Sequence, residues 1–182
     1  MDEDILCIER FLSGDARGFT MLVRKYQNRV LNIVYSLIGK DGESEDISQE
    51  VFLKIHHSLS SFRRNCRFST WLYRVAVNTT YDFLRKRKNL VNDEIAIENS
   101  ISSYDGPDEV LAKKEEKAML EKVLAGTPLE YRAALVLKDV EGLNYKQIAE
   151  ILGCGMGTVA SKIYRGREFL KEELLKLKES QR

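Results

Sequence analysis

The chain has 182 residues, 43% hydrophobic and 31% charged, which excludes a disordered chain and a membrane-embedded one. Its length suits one or two small domains. The formal net charge is +1, so no global excess of charge marks it as a binder of nucleic acid or of a membrane surface.

A short first helix is expected at residues 4–12, and a longer one at 16–38. In the second, Phe19, Leu22, Val23, Tyr26, Val30, Ile33, Val34 and Leu37 recur at steps of three and four and form one apolar stripe. Gly39 to Gly42 end it. The next helix is expected at 44–59, with Ile47, Val51, Ile55 and Leu59 inward and Asp46, Glu50, Leu53 and His57 on another face. Residues 60–69 read as a loop. A helix at 69–87 follows, with Leu72, Val75, Ala76, Thr79 and Phe83 towards a core and Trp71, Arg74, Asn78, Asp82 and Arg85 sharing another side.

Periodicity fades from residue 89 to 106, where Asn, Ser, Asp, Gly and Pro gather. Helices resume at 110–125. Thr127-Pro128-Leu129-Glu130 then reads as a start signal, with Thr127 and Glu130 as a capping box for a helix running to about 140. Asn144 with Gln147 opens a short helix at 145–152. Gly153-Cys154-Gly155 turns the chain into a last helix at 156–178. The fold class expected is all-α: two small helical domains, at 1–88 and 110–182, joined by a flexible acidic linker at 89–109.

Charge is distributed unevenly along this chain. Residues 62–88 carry eight Lys and Arg against the single acid Asp82, whereas 92–109 carry six acids and no Lys or Arg. Such polarity suits segments that meet different partners. The three cysteines, Cys7, Cys66 and Cys154, lie too far apart in sequence for a metal or redox motif, and their odd number argues against a disulfide framework. No metal and no cofactor is expected. His56 and His57, being adjacent, are expected to point apart on a helix as surface or edge residues, not as ligands. No apolar run reaches membrane-spanning length and no signal peptide is apparent, so a cytoplasmic protein without membrane insertion is expected.

Residues 144–167 have the form of a helix-turn-helix: a short helix, a Gly-containing turn and a second helix. Ile148, Ala149, Ile151, Leu152, Val159 and Ile163 can pack the pair. Thr158, Ser161, Lys162, Tyr164, Arg165 and Arg167 then face outward, and hydroxyls, cations and an aromatic ring suit phosphates and base edges in a major groove. An ordinary helical hairpin with a solvated basic face is the plain alternative. Residues 62–88 interleave aromatics with Arg and Lys. Cations attract phosphate without regard to sequence, and rings stack unpaired bases. Phe62, Arg63, Arg64, Asn65, Trp71, Arg74, Asn78 and Arg85 are therefore candidates for holding melted strand. A core helix with solvated charges is the alternative, and it is the reading adopted for Leu72, Val75 and Phe83.

Three stretches carry a resemblance to a known family. EDISQEVFLKIHHSLSSF resembles region 2.2 of the extracytoplasmic-function (ECF) sigma factors, small members of the sigma-70 class. FSTWLYRVAVNTTYDFLRKRK resembles their regions 2.3 and 2.4, and EGLNYKQIAEILGCGMGTVASKIYRGREFLK their region 4.2. The resemblance covers nearly the whole chain. It implies a non-enzymatic subunit that joins core RNA polymerase and directs it to promoter DNA. Asp46, Gln49, Glu50 and Phe52 match the helix that grips the clamp of the largest polymerase subunit, and the C-terminal domain would meet the flap region. The loop from Phe62 to Ser69 matches the one that captures a flipped base, and Asn78 matches an asparagine of the minus-ten reader. Ser161, Lys162, Tyr164 and Arg165 match minus-thirty-five contacts. The acidic linker matches a segment that threads the polymerase, and an anti-sigma factor is a common partner in the family. Ala160, Gly155 and Gly166 depart from the residues frequent at those positions, which bears on upstream-element preference. Two other functions compete: a free-standing helix-turn-helix regulator, which would bind duplex without polymerase, and an enzyme on nucleic acid, for which no phosphate-cradling loop or nucleophile–base set is present.

Overall fold

The computed structural model describes residues 2–39, 42–91, 119–120 and 122–180. Their regular structure is all helical, without a strand among them. The elements are α1 (Glu3–Leu12), α2 (Arg17–Ile38), α3 (Ser44–Ser58), a single 3-10 turn at Leu59–Ser61, α4 (Phe68–Val91), a helical stretch α5 at 122–126, α6 (Leu129–Leu135), a π-turn at Val136–Val140, α7 (Tyr145–Leu152) and α8 (Met156–Ser180). Residues 89–91, expected in the acidic linker, continue α4 instead, and the rest of the linker, with the first turns of the helix expected at 110–125, lies outside the described residues.

Helix α2 is the axis of the first bundle, packed by α1, α3 and α4. Leu22, Tyr26, Val30, Ile33, Val34 and Leu37 are all buried along the expected stripe. Gly18 sets how closely α1 approaches. A Cβ there would stand 2.3 Å from the Cys7 carbonyl oxygen and 2.7 Å from the Phe11 amide nitrogen, both backbone atoms that cannot yield without moving α1. A carboxylate ties the same two helices: Asp4 is buried, accepts from the Tyr26 hydroxyl at 2.6 Å and pairs with Lys25 at 2.7 Å. Two hydrogen-bonded partners make burial of that charge tolerable.

In the second half, α6 and α7 pack on α8. Asn144 and Gln147 form the expected capping box, each side chain satisfying the other residue's backbone amide. Gly153 ends α7 in the left-handed region at φ +63, where a side chain would be strained. The cap expected at Thr127 does not form. Its hydroxyl donates back to the Val123 carbonyl at 3.1 Å, and Pro128 occupies the α6 N-cap without a side-chain cap. The helix expected to run unbroken to residue 140 is α-helical only to Leu135 and continues as the π-turn.

The two halves share one hydrophobic core: α7 packs on α4, and α6 and the π-turn meet α2. Helix α4 is therefore covered on two sides. Leu72, Ala76 and Thr79 are buried as expected, and Tyr73, Val77 and Thr80 are buried as well, which a one-stripe pattern does not predict. Arg132 clasps this junction. Its guanidinium, almost wholly buried, donates to the carbonyls of Leu37 at the end of α2, of Ala125, and of Thr127 (Nη2 at 2.9 Å). Three helix-end carbonyls, left unpaired by helix geometry, thus share one cation. The Tyr81 hydroxyl also reaches across, to the Leu129 carbonyl at 3.4 Å. Burial pushes its pKa up to about 12.

Candidate nucleic-acid interface

The loop between α3 and α4 presents Arg63, Arg64 and Asn65 to solvent. Arg64 adopts φ +56, a region that non-glycine residues seldom occupy, and its guanidinium pairs with Glu9 of α1 at 2.9 Å. Trp71 is half-buried. Its ring lies 5.2 Å from Phe62 and 6.0 Å from Phe68, centre to centre. Phe62 itself is 8% exposed. The surface reading of Phe62 is corrected accordingly: it is a core ring against which Trp71 leans, and no base can stack on it without displacing that packing. Arg74 is half-buried, and its Nε is buried without a hydrogen-bond partner among the described residues. Asn78 and Arg85 are exposed, Arg85 standing 3.7 Å from Asp82. Trp71, Arg74, Asn78 and Arg85 thus share the side of α4 left open by both α2 and α7.

On α3, Asp46, Gln49 and Glu50 are exposed, and Phe52 is half-buried. Gln49, Phe52 and Leu53 line a groove between α2 and α3 whose other wall carries Phe19, Val23 and Leu31. Leu53 is 60% exposed there, and with Phe52, Phe19, Val23 and Leu31 it makes the groove a contiguous apolar surface. His56 closes one end, its ring edge-on to Phe11 and Phe19 at 4.9 Å each. The two histidines are exposed but do not point apart as expected; their rings stand 5.6 Å from each other, perpendicular. No cluster of His, Cys, Asp and Glu among the described residues could hold a metal ion.

Helix α8 follows the glycine turn. Val159 and Ile163 are buried against α7, which turns Thr158, Ser161, Tyr164, Arg165 and Arg167 outward, Tyr164 at 67% exposure. Lys162 is half-buried, held by Glu130 of α6. Arg165 donates to the Tyr131 hydroxyl at 3.5 Å, and Arg167 pairs with Asp139 of the π-turn at 2.6 Å. Gly166 is buried: a Cβ there would stand 2.8 Å from Leu135 Cδ1 and 3.2 Å from Tyr131 Cβ. Its departure from the family pattern therefore bears first on how closely α8 approaches α6. Gly155, by contrast, has open space around it. Glu130, expected in a capping box with Thr127, pairs with Lys162 instead. Tyr131, Asp139 and Arg132 were not singled out from sequence. An arginine inside the apolar run 132–137 was the available signal for the last.

The arrangement agrees with known proteins. Residues 22–90 match the family model for Sigma-70 region 2, and residues 117–170 match that for Sigma-70, region 4. The RNA polymerase sigma-H factor of Pseudomonas aeruginosa is 33% identical over 95% of this chain and 94% of its own. The chain belongs to the ECF sigma factors of the sigma-70 family. The ECF RNA polymerase sigma-E factor of Escherichia coli is 33% identical over 94% of each chain. Among solved structures, CnrH in complex with the cytosolic domain of CnrY superposes at a TM-score of 0.72, with 22% identity, over 95% of this chain and 97% of that one. The sigma factor RpoE of Bartonella quintana, solved with the anti-sigma factor NepR, superposes at 0.71 with 27% identity, over 86% and 96%. This sigma factor acts in promoter-directed transcription initiation, and no described helix of it is long and apolar enough to cross a membrane.

Proposed function

We propose that this sigma factor works in the cytoplasm as a two-domain promoter reader that performs no covalent chemistry. Residues 1–88 form the polymerase-binding and melting domain, 89–109 the acidic connector, and 110–182 the upstream reader. Asp46, Gln49, Glu50 and Phe52 dock the clamp of the largest polymerase subunit, with the apolar groove beside Phe52 as the anchor, since burying exposed Leu53 and half-buried Phe52 favours association. Arg63, Arg64, Asn65, Trp71, Arg74, Asn78 and Arg85 receive the melted minus-ten strand. The observation that carries this reading is the open side of α4, where one aromatic ring, several cations and an amide gather beside a basic loop. Single-stranded DNA wants those groups together, rings for its bases and cations for its phosphates. Thr158, Ser161, Lys162, Tyr164, Arg165 and Arg167 read upstream duplex in the major groove.

Reading both promoter elements requires the halves to part. Elements about 25 base pairs apart are separated by roughly 85 Å of duplex, whereas α4 and α7 are in contact. The described arrangement is thus a closed form that opens on polymerase. An anti-sigma factor is the partner that would hold it closed. Supporting this is the superposition on RpoE of Bartonella quintana, which takes in both halves at once and was solved with such a partner.

Run-off transcription with purified core RNA polymerase on a library of bacterial promoter fragments tests the reading. Promoter-specific transcripts are expected only with the sigma factor present. Arg165→Ala should weaken use of the upstream element, and Trp71→Ala should reduce permanganate reactivity of the melted strand. Tight binding to duplex without polymerase, and no dependent transcripts, would replace this reading with that of a free-standing regulator.

A further inference from the structure

The recognition helix carries three cations between Thr158 and Arg167, and none of them projects alone. Lys162 is held by the Glu130 carboxylate. Arg167 uses Nη2 at 2.6 Å and Nε at 3.4 Å on Asp139. Arg165 donates to the Tyr131 hydroxyl at 3.5 Å and feels the Glu130 carboxylate only at longer range, with no ion pair of its own among the described residues. The close approach of α8 to α6 at Gly166 brings these partners within reach. Three cations against two carboxylates leave a local charge of only +1 on a face that must meet a polyanion.

We infer that Glu130 and Asp139 are built-in competitors for the DNA backbone, occupying Lys162 and Arg167 so that α8 binds duplex weakly unless base-edge contacts add to the phosphate attraction. The inference rests on the reading of α8 as the upstream reader. A phosphate that takes Lys162 or Arg167 must displace a carboxylate, or lie beside it and be repelled. Phosphate contacts act equally on every sequence, whereas base contacts do not. Damping the first and sparing the second lowers binding to unrelated DNA more than to a promoter. Arg165, which forms no ion pair among the described residues, is the least occupied of the three for direct contact. The acids thereby set specificity without touching a base.

The test uses the full chain with Glu130→Gln and Asp139→Asn. Both residues are exposed, and the replacements keep their size. Fluorescence anisotropy on an unrelated labelled duplex is followed across salt concentration for each protein alone. Each variant should bind roughly two- to fivefold tighter, the range expected when one exposed ion pair is removed from competition. The slope of log K against log salt should steepen by roughly one for each freed cation. In holoenzyme, the ratio of promoter to unrelated binding should fall. Unchanged or weaker binding, or a change in affinity with no change in slope, would overturn the inference; the last would report only a structural role in α6. Arg165→Ala holoenzyme on a promoter fragment separates the two levels. If Arg165→Ala weakens binding while the acid variants change nothing, only the competitor role is lost. If Arg165→Ala also binds normally, α8 is not the reader and both fall.

Discussion

Asp4 and Tyr26 show how a single polar contact fastens the first bundle. Burial, then the hydrogen bond to Asp4, push the Tyr26 hydroxyl well above its ordinary 10.0. A group raised in the folded state contributes stability that is fully present below its unfolded value and is lost as pH rises through the folded one. The link between α1 and α2 therefore holds at neutral pH and weakens only in strong alkali. Tyr26→Phe keeps the ring and removes the donor, leaving Asp4 with Lys25 alone. A loss of about 1–3 kcal/mol is expected, read as a lower urea midpoint at an unchanged denaturant slope. A Tyr26→Phe protein as stable as the parent would show that Lys25 suffices for the buried carboxylate.

At the level of the element, α7 is eight residues long, too short to hold as a helix by itself. Its ends are fixed by the Asn144–Gln147 box and by Gly153, and its inner face by Ile148 and Ile151, both buried. Asn144→Ala removes one cap and should cost about 1 kcal/mol. Because α7 positions α8, binding to upstream duplex should weaken, while single-stranded minus-ten DNA is held as before. Anisotropy on the two DNAs checks this, and equal losses on both would mean that the cap supports the whole fold. Helix α6 shows the opposite economy. It has no side-chain cap and keeps its start through Arg132, which draws the carbonyls of Ala125 and Thr127 together ahead of it.

Across the whole molecule, the junction between the halves is polar at its rim and apolar inside. Arg132→Met keeps much of the side chain's volume but leaves the carbonyls of Leu37, Ala125 and Thr127 without their donor. The expected cost is about 2–3 kcal/mol; the bond to Leu37 is the one of the three that crosses between the halves, and with it lost small-angle scattering should show a larger radius of gyration. An unchanged radius would mean that the apolar contact of α4 with α7 holds the halves by itself. Glu141 offers a second handle. It is half-buried near Arg29, and burial raises its pKa against the smaller opposing pull of that arginine. By the same linkage, the stability it contributes is complete below the ordinary 4.5 and is lost as pH rises through the raised value. Glu141→Gln should melt with the parent at pH below that ordinary value and above it at neutral pH. Coincident melting curves at every pH would remove Glu141 from the junction.

Much of this was legible in the residues themselves. Apolar spacing of three and four fixed α2, and the Asn144, Gln147 and Gly153 signals fixed α7, because these depend on local geometry that any chain with those residues obeys. The outward positions of α8 followed from the same periodicity. Local rules do not reach further. Phe62 looked like a surface aromatic because basic residues flank it, and only the packing of Phe68 and Trp71 made it core. Thr127 looked like a cap because its hydroxyl could reach forward, and a competing carbonyl at Val123 took it. Arg132, Glu130 and Asp139 gained their roles from partners distant in sequence or on another helix. The second buried side of α4 likewise exists only because α7 lies on it. Periodicity records how many faces a helix buries in its own bundle; which other element then covers the rest is decided by how whole bundles fit.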